Sequence, residues 1–295
     1  MILNKYIHWA TAIIIFAAIL MSTSVHGKAP ALWRVADRNS EIWLFGTVHL
    51  LPPQVRWRSR AFDDAFKAAD TIILEVDLNA PPQRGLGPVI KQLGHNANYA
   101  ALSSLLGARD TGRLAHAAKK LGVPPETLEP LRPWLASIRL SLTNIKSQGF
   151  EPRSGVDRII AGMADAANKR LGYLETAEEQ FEIFASLSPP AEIAFLMATV
   201  QQIESGSGGL TQLVAAWAEG DTGTFNRQFR ESLGGDFPEL RNALFINRNR
   251  RWTEQITRMM TGSGKALIAV GAGHLAGKDG VVGLLRAKGY KVTRQ

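Results

Sequence analysis

Residues 42–49, Ile-Trp-Leu-Phe-Gly-Thr-Val-His, and residues 266–274, Ala-Leu-Ile-Ala-Val-Gly-Ala-Gly-His, each run an apolar strand into a Gly-x-x-His turn. A short, unbroken apolar run closed by glycine reads as a buried strand. Glycine lets the backbone reverse sharply at the strand end. The imidazole then projects from a sheet edge, where open α/β sheets bind ligands. One arrangement standing near both ends of the chain reads as a weak internal duplication, and it predicts that the N- and C-terminal segments meet in one sheet.

Outward from residue 42, Leu32-Trp33-Arg34-Val35 precedes the polar turn Asp37-Arg38-Asn39, so the first motif reads as the second strand of a β-hairpin. Ser59 to Ala69 has helical spacing, and Thr71-Ile72-Ile73-Leu74 is a short strand running into Glu75 and Asp77. From Pro81 to about Leu187 the pattern is mostly helical, with candidates at 100–106, 111–121 and 133–147 and breaks at Pro124-Pro125 and Gly149. Ser154 with Asp157, and Thr176 with Glu179, have the spacing of helix N-terminal capping boxes. Tyr173-Leu174 between them reads as one short strand. Helices follow at 190–204, 209–218, 221–233 and 239–261, then the strand at 266–270, a helix at 280–288 and a terminal strand at 290–292. The expectation is an α/β (α+β) fold: a mixed central sheet from the N- and C-terminal segments, layered by helices, with a mostly helical insertion or cap over about 85–240.

The 295 residues are 45% hydrophobic and 20% charged, which suits one globular domain over 28–295. Lys5 followed by an uncharged apolar stretch from Trp9 to Met21 and then Ser22 to Ser24 reads as a signal peptide over 1–27. The stretch is shorter than the ~20 residues a membrane-spanning helix needs. The expectation is an exported, periplasmic protein, with an inner-membrane anchor at 9–21 as the alternative. The chain has no cysteine, which excludes disulfides, thiolate metal sites and lipoprotein attachment. A net charge of +8 with interleaved signs reads as ordinary surface charge. No nucleic-acid partner is expected, and an association with envelope polysaccharide stays open.

Of the six histidines, His8 and His26 fall in the leader, leaving His49, His95, His116 and His274. His95 and His116 stand in polar or helix-surface contexts and read as surface residues, which leaves the motif pair for chemistry. Strand alternation puts Glu75 and Asp77 on one face. Asp77 also suits a turn acceptor before Pro81, so Glu75 is the stronger candidate. His49, His274 and Glu75 match a two-histidine, one-carboxylate set for a divalent metal, and they equally suit a metal-free site in which His and Glu activate water. In the helix at 239–261 the i, i+4 line Leu240, Leu244, Arg248, Trp252, Ile256, Met260 puts Arg248 on the apolar face. A buried guanidinium there needs a carboxylate, with Glu75, Asp77, Asp157 and Glu175 as candidates, or an anionic ligand. Asn249 beside it is positioned to hydrogen-bond in the same site. Arg250 and Arg251 read as solvated.

Several of these pieces, in order, resemble the TraB/GumN family: Phe45 to His49, Glu75-Val76-Asp77, Gly155-Val156-Asp157, Leu174-Glu175-Thr176 with Glu179-Gln180, Arg248-Asn249, and Val270 to Leu275 with Gly277. The resemblance runs from about 32 to 292. It implies an α/β core similar to the erythromycin esterase and ChaN-like group, and kinship to the Tiki proteases, which are divalent-metal-dependent and carry two Gly-x-x-His motifs with an intervening glutamate. Carried over, His49, Glu75 and His274 are the catalytic or metal-binding set. The expectation is a peptidase-like hydrolase that uses Mn, Co or Zn on a peptide or small-molecule substrate, with Arg248 and Asn249 stabilising anionic charge. Two alternatives stand beside it: a metal-free, esterase-like hydrolase, and a non-catalytic protein that binds haem, metal or an envelope ligand or assists polysaccharide assembly.

Overall fold

Residues 29–77, 86–96, 100–206, 208–232 and 238–295 are described by a computed structural model. The leader expected at 1–27 lies outside them.

The strands are β1 (Leu32–Ala36), β2 (Ser40–Thr47), β3 (Thr71–Leu74), β4 (Arg170–Tyr173), β5 (Gly264–Gly271) and β6 (Val292–Arg294). The helices are α1 (Arg60–Ala68), α2 (Leu86–Leu93), α3 (Ala108–Lys120), α4 (Pro133–Ser147), α5 (Val156–Ala166) and α6 (Ala177–Ala185). They continue with α7 (Pro189–Ser205), α8 (Gly208–Ala218), α9 (Thr222–Ser232), α10 (Pro238–Arg241), α11 (Asn247–Met260) and α12 (Val281–Ala287).

All six strands join one mixed sheet in the order β4-β3-β5-β2-β1-β6. The expected hairpin is present, with Leu32 opposite Phe45 and Ala36 opposite Glu41. Its turn is closed by Asp37, whose carboxylate accepts from the backbone N–H groups of Asn39 and Ser40. β2 lies parallel to β5, and β5 and β4 flank β3 in the same direction. The first and last thirds of the chain therefore share a sheet, as the twin motifs require.

Alternation along the strands sorts two cores. Trp43, Phe45, Ile72, Leu74, Leu267 and Ala269 face α1, α5 and α8, while Ile42, Leu44, Ile73, Ile268 and Val270 face α11 and α12. Each side chain of this size, fully buried, contributes ~1.5–3 kcal/mol. The result is a sheet sandwiched between helical layers. A third core, with Leu114, Leu128, Leu140, Leu196 and Val200 at its centre, belongs to α3, α4 and α7 and forms the helical cap.

Five expectations need correction. The terminal strand expected at 290–292 is β6, Val292–Arg294, because its register is set by antiparallel pairing with Trp33 to Val35. Residues 100–106 form only a short 3-10 turn at Leu102–Leu105. The strand expected at 173–174 is β4, ending at Tyr173, because its register is set by pairing with Thr71 to Leu74. The helix expected at 239–261 is interrupted by a π turn at Asn242–Ile246. The motifs are also not equivalent in the sheet: Gly46 stands opposite Val270 and Thr47 opposite Gly271. The shared spacing serves two different turns and not one duplicated unit.

Candidate active site

His49 follows the end of β2 in an irregular turn and is exposed; His274 sits in a 3-10 turn after β5 and is buried. The turns are pressed together, since a Cβ on Gly46 would lie 3.0 Å from Ala272 Cα. Trp217 of α8 donates its indole N–H to the carbonyl of Gly46 at 2.8 Å, which fixes that turn from the other side. The N-terminus of α5 docks against the first turn through the Val156 N–H, which donates to Val48 O at 3.0 Å. Gly155 makes this approach possible, because a side chain there would collide with the His49 carbonyl oxygen.

That docking delivers Asp157. The helix starts at Gly155 without a side-chain cap, so the capping box read at Ser154 is absent. Asp157 instead accepts from Thr47 Oγ1 and, at 2.7 Å, from His49 Nδ1. The Asp157 carboxylate raises the His49 pKa to about 9, working against burial, so the ring is an imidazolium at neutral pH. The His49 side chain is 57% exposed, and water therefore screens part of this pull. Burial works to raise Asp157, and the His49 charge with the Thr47 and His49 hydrogen bonds outweighs it, holding the carboxyl below its usual range.

His274 has the opposite environment. Its Nδ1 donates to Asn249 Oδ1 at 2.7 Å, and its Nε2 accepts from Arg248 Nη1 at 3.1 Å. These two bonds require the neutral Nδ1–H tautomer. Burial pushes its pKa down to about 3. Trp252 and Phe245 pack on the ring, with centroids 4.4 and 5.0 Å away, and Phe245 comes from the π turn. A π turn beside a functional site is a recurring feature of helices.

Glu75, in the turn after β3, is buried between the two imidazoles. Its Oε1 accepts from the Gly271 N–H at 2.6 Å and its Oε2 from Arg248 Nη2 at 3.0 Å. Burial works to raise its pKa, and the surrounding groups outweigh it, so the carboxylate is held below its usual range. The groups that outweigh burial are His274, His49 and Arg248, helped by the Gly271 amide. Arg248 also holds Glu175, through Nε at 3.1 Å and through Nη2. Burial raises the Glu175 pKa despite the guanidinium. Arg248 thus meets the expected carboxylate partners in Glu75 and Glu175.

Gly271 marks the centre of the cluster. A methyl group on its Cα would lie 3.2 Å from Glu75 Oε1, 3.4 Å from His49 Nε2 and 3.6 Å from His274 Cδ2. His49, Glu75, His274, Arg248, Asn249, Asp157 and Glu175 are brought together. Asp77 is not: its carboxylate engages the Tyr173 hydroxyl beyond the ends of β3 and β4. His95 and His116 are exposed as expected. Arg251, though exposed, comes within 3.8 Å of Glu175, so it is not wholly turned away. Two residues that stand in the quoted motifs but were given no role are Gln180, which donates to Glu175 Oε1 at 3.2 Å, and Thr47. Gln180 sits one position beyond the Thr176–Glu179 capping box, which is formed as expected. That local signal places it in the first turn of α6, and only the packing of α6 against α2 and the π turn sets it beside the cluster.

A family model for the TraB/PrgY/gumN family matches residues 31–294. The chain belongs to the TraB/PrgY/gumN family. Among curated proteins, this TraB-family chain is 24% identical to the metalloprotease TIKI2 of Danio rerio, over 87% of its own length and 61% of that relative's. No solved structure matches it.

The relative's name raises the fit of a metal to this member of the TraB family. Both imidazoles are anchored through Nδ1 in the manner of metal ligands. As arranged, however, His274 Nε2 and Glu75 Oε2 are taken by the Arg248 cation. Among the described residues no group of three or more His, Asp or Glu side chains closes on a metal position. The residues in this arrangement do not fit a three-ligand metal centre.

Proposed function

We propose that this chain is a hydrolase whose reaction centre is the space beside Gly271. The observation that carries the reading is the convergence of Glu75 Oε1 and His49 Nε2 against Gly271, where both residues line one cavity. A water in that cavity faces a carboxylate that accepts a proton and an imidazolium that donates one. Glu75 takes the proton of the attacking water, and His49, oriented and kept charged by Asp157, gives its Nε2 proton to the leaving group. Arg248 holds Glu75 Oε2 and the Gly271 N–H fixes its Oε1, while His274, set by Asn249, positions the guanidinium. Preorganised dipoles and charges of this kind, sheltered from water, are the largest source of rate in many hydrolases.

The TIKI2 likeness supports peptide-bond hydrolysis as the reaction class and favours a second reading, metal-assisted hydrolysis with Mn, Co or Zn, for which the Nδ1 anchoring of both histidines speaks. Metal binding would require release of Arg248 from His274 and Glu75 and loss of the His49 proton. The reading includes export to the periplasm, which rests on residues 1–27 alone.

The test is hydrolysis of a peptide and ester panel by wild type, Glu75→Gln and His49→Gln, with elemental analysis of the purified protein after exposure to Mn, Co and Zn. Loss of turnover in both variants without bound metal supports the water-activating pair. Stoichiometric metal that disappears in His49→Ala/His274→Ala replaces it with the metal-assisted reading. Full turnover in Glu75→Gln sinks both.

A further inference from the structure

Above the reaction centre lies a cavity of about 540 Å³, within the range of pockets that take drug-sized ligands. Its floor is His49, Glu75, Arg248, Gly271 and His274; its walls come from α4, α6, α8, α9 and the π turn, through Leu142, Phe181, Phe184, Leu213, Phe229 and Phe245. The four residues of the floor with ionisable side chains are the only ionisable groups among the described lining residues. Most of the wall residues are half-buried, and Leu142 is 39% exposed. Phe229 packs on Phe245 with centroids 5.1 Å apart, and Phe245 on His274, so the aromatic wall reaches the imidazole itself.

We infer that this cavity binds an extended apolar group attached to the carbonyl under attack, as in an acyl ester or amide or a peptide with bulky apolar residues. The inference rests on the hydrolytic reading only for what happens at the floor. A hydroxyl-rich sugar chain would leave its polar groups without partners against such walls, each at a cost. An apolar chain gains from every methylene it buries there, and the ionisable groups at one end fix its direction. The chemistry therefore points away from polysaccharide as the bound species, one of the associations the sequence left open.

The probes are methyl ketones from 2-butanone to 2-decanone, which present a carbonyl and are not hydrolysed, titrated by calorimetry into the full mature chain. Affinity is expected to rise roughly threefold per methylene. In Leu142→Asp and Leu213→Asp that gain should flatten, with the melting temperature checked for each; Leu142 is exposed enough to carry the charge without unfolding. N-acetyl-leucine and N-acetyl-phenylalanine methyl ketones distinguish the two sources: tighter binding than an alkyl ketone of equal carbon number points to a peptide, weaker binding to an acyl chain. No gain with chain length in the wild type, or a gain undiminished in both folded variants, overturns the inference. A gain without turnover of any ester or peptide leaves it standing while the hydrolytic reading falls, and turnover without a gain does the reverse.

Discussion

At the scale of single residues the site depends on what Gly271 lacks. Gly271→Ala puts a methyl group within 3.2 Å of Glu75 Oε1 and 3.4 Å of His49 Nε2. Turnover should fall by about 100-fold, the magnitude of losing one preorganised catalytic contact, while the melting temperature barely moves. His49 gives a pH signature. Its folded pKa is raised from 6.5 to about 9, so its pairing with Asp157 contributes stability that is complete below pH 6.5 and is lost as pH rises through about 9. The melting temperature of wild type should decline across that window more than that of His49→Gln, and turnover should decline with it, because the leaving-group proton is gone. A profile indifferent to His49→Gln would refute the assignment. Arg248→Met leaves Glu75 and Glu175 buried without their cation. Breaking a buried pair in this way costs about 3–5 kcal/mol. Urea unfolding should show the loss, and Glu175→Gln in the same chain should recover part of it.

At the scale of elements, the cap-side helix α6 positions Gln180, Phe181 and Phe184 together, and its start depends on the reciprocal Thr176–Glu179 bonds. Thr176→Ala should cost about 1 kcal/mol in urea unfolding. If α6 frays, the affinity of apolar ketones falls too. β2, β3 and β5 were legible because each is a short apolar run with a clear stop, Phe45 to Gly46, Leu74 to Glu75 and Val270 to Gly271, whereas β4 and β6 were misplaced because neither is such a run. Arg248 was legible because a guanidinium on an otherwise apolar helix line demands a partner, and Glu75 and Glu175 both follow strand ends. Asp157 stood both as half of a capping box and as a candidate site carboxylate, because three-residue spacing after Ser154 is shared by a capping box and by a helix whose first turn is docked elsewhere. The π turn left no trace: Leu240 and Trp252 keep the spacing of a regular helix, and only the contact of Phe245 with His274 shows why the coil widens. The walls of the cavity come from five separate segments, and their meeting is a tertiary event that no local pattern records.

At the scale of the molecule, the turns after β2, β3 and β5 bring the cluster to one edge of the sheet, and α4 carries the cap of α3, α4 and α7 to the cavity beside it. Among the described residues no single helix is long and apolar enough to cross a membrane. The signal-peptide reading of residues 1–27 predicts that the intact mass of the protein purified from an envelope fraction corresponds to a start at Lys28. A mass that retains the leader would favour the anchored alternative. The register of β2 with β5 also carries a consequence in time. Thr47 cannot find Gly271, nor His49 and Glu75 their full surroundings, until the ribosome has passed residue 274. Pairing over so long a separation is slow, because the loop must close before its contacts reward it. The site is thus assembled only once residues 264–274 have been made and have folded back onto β2 and β3.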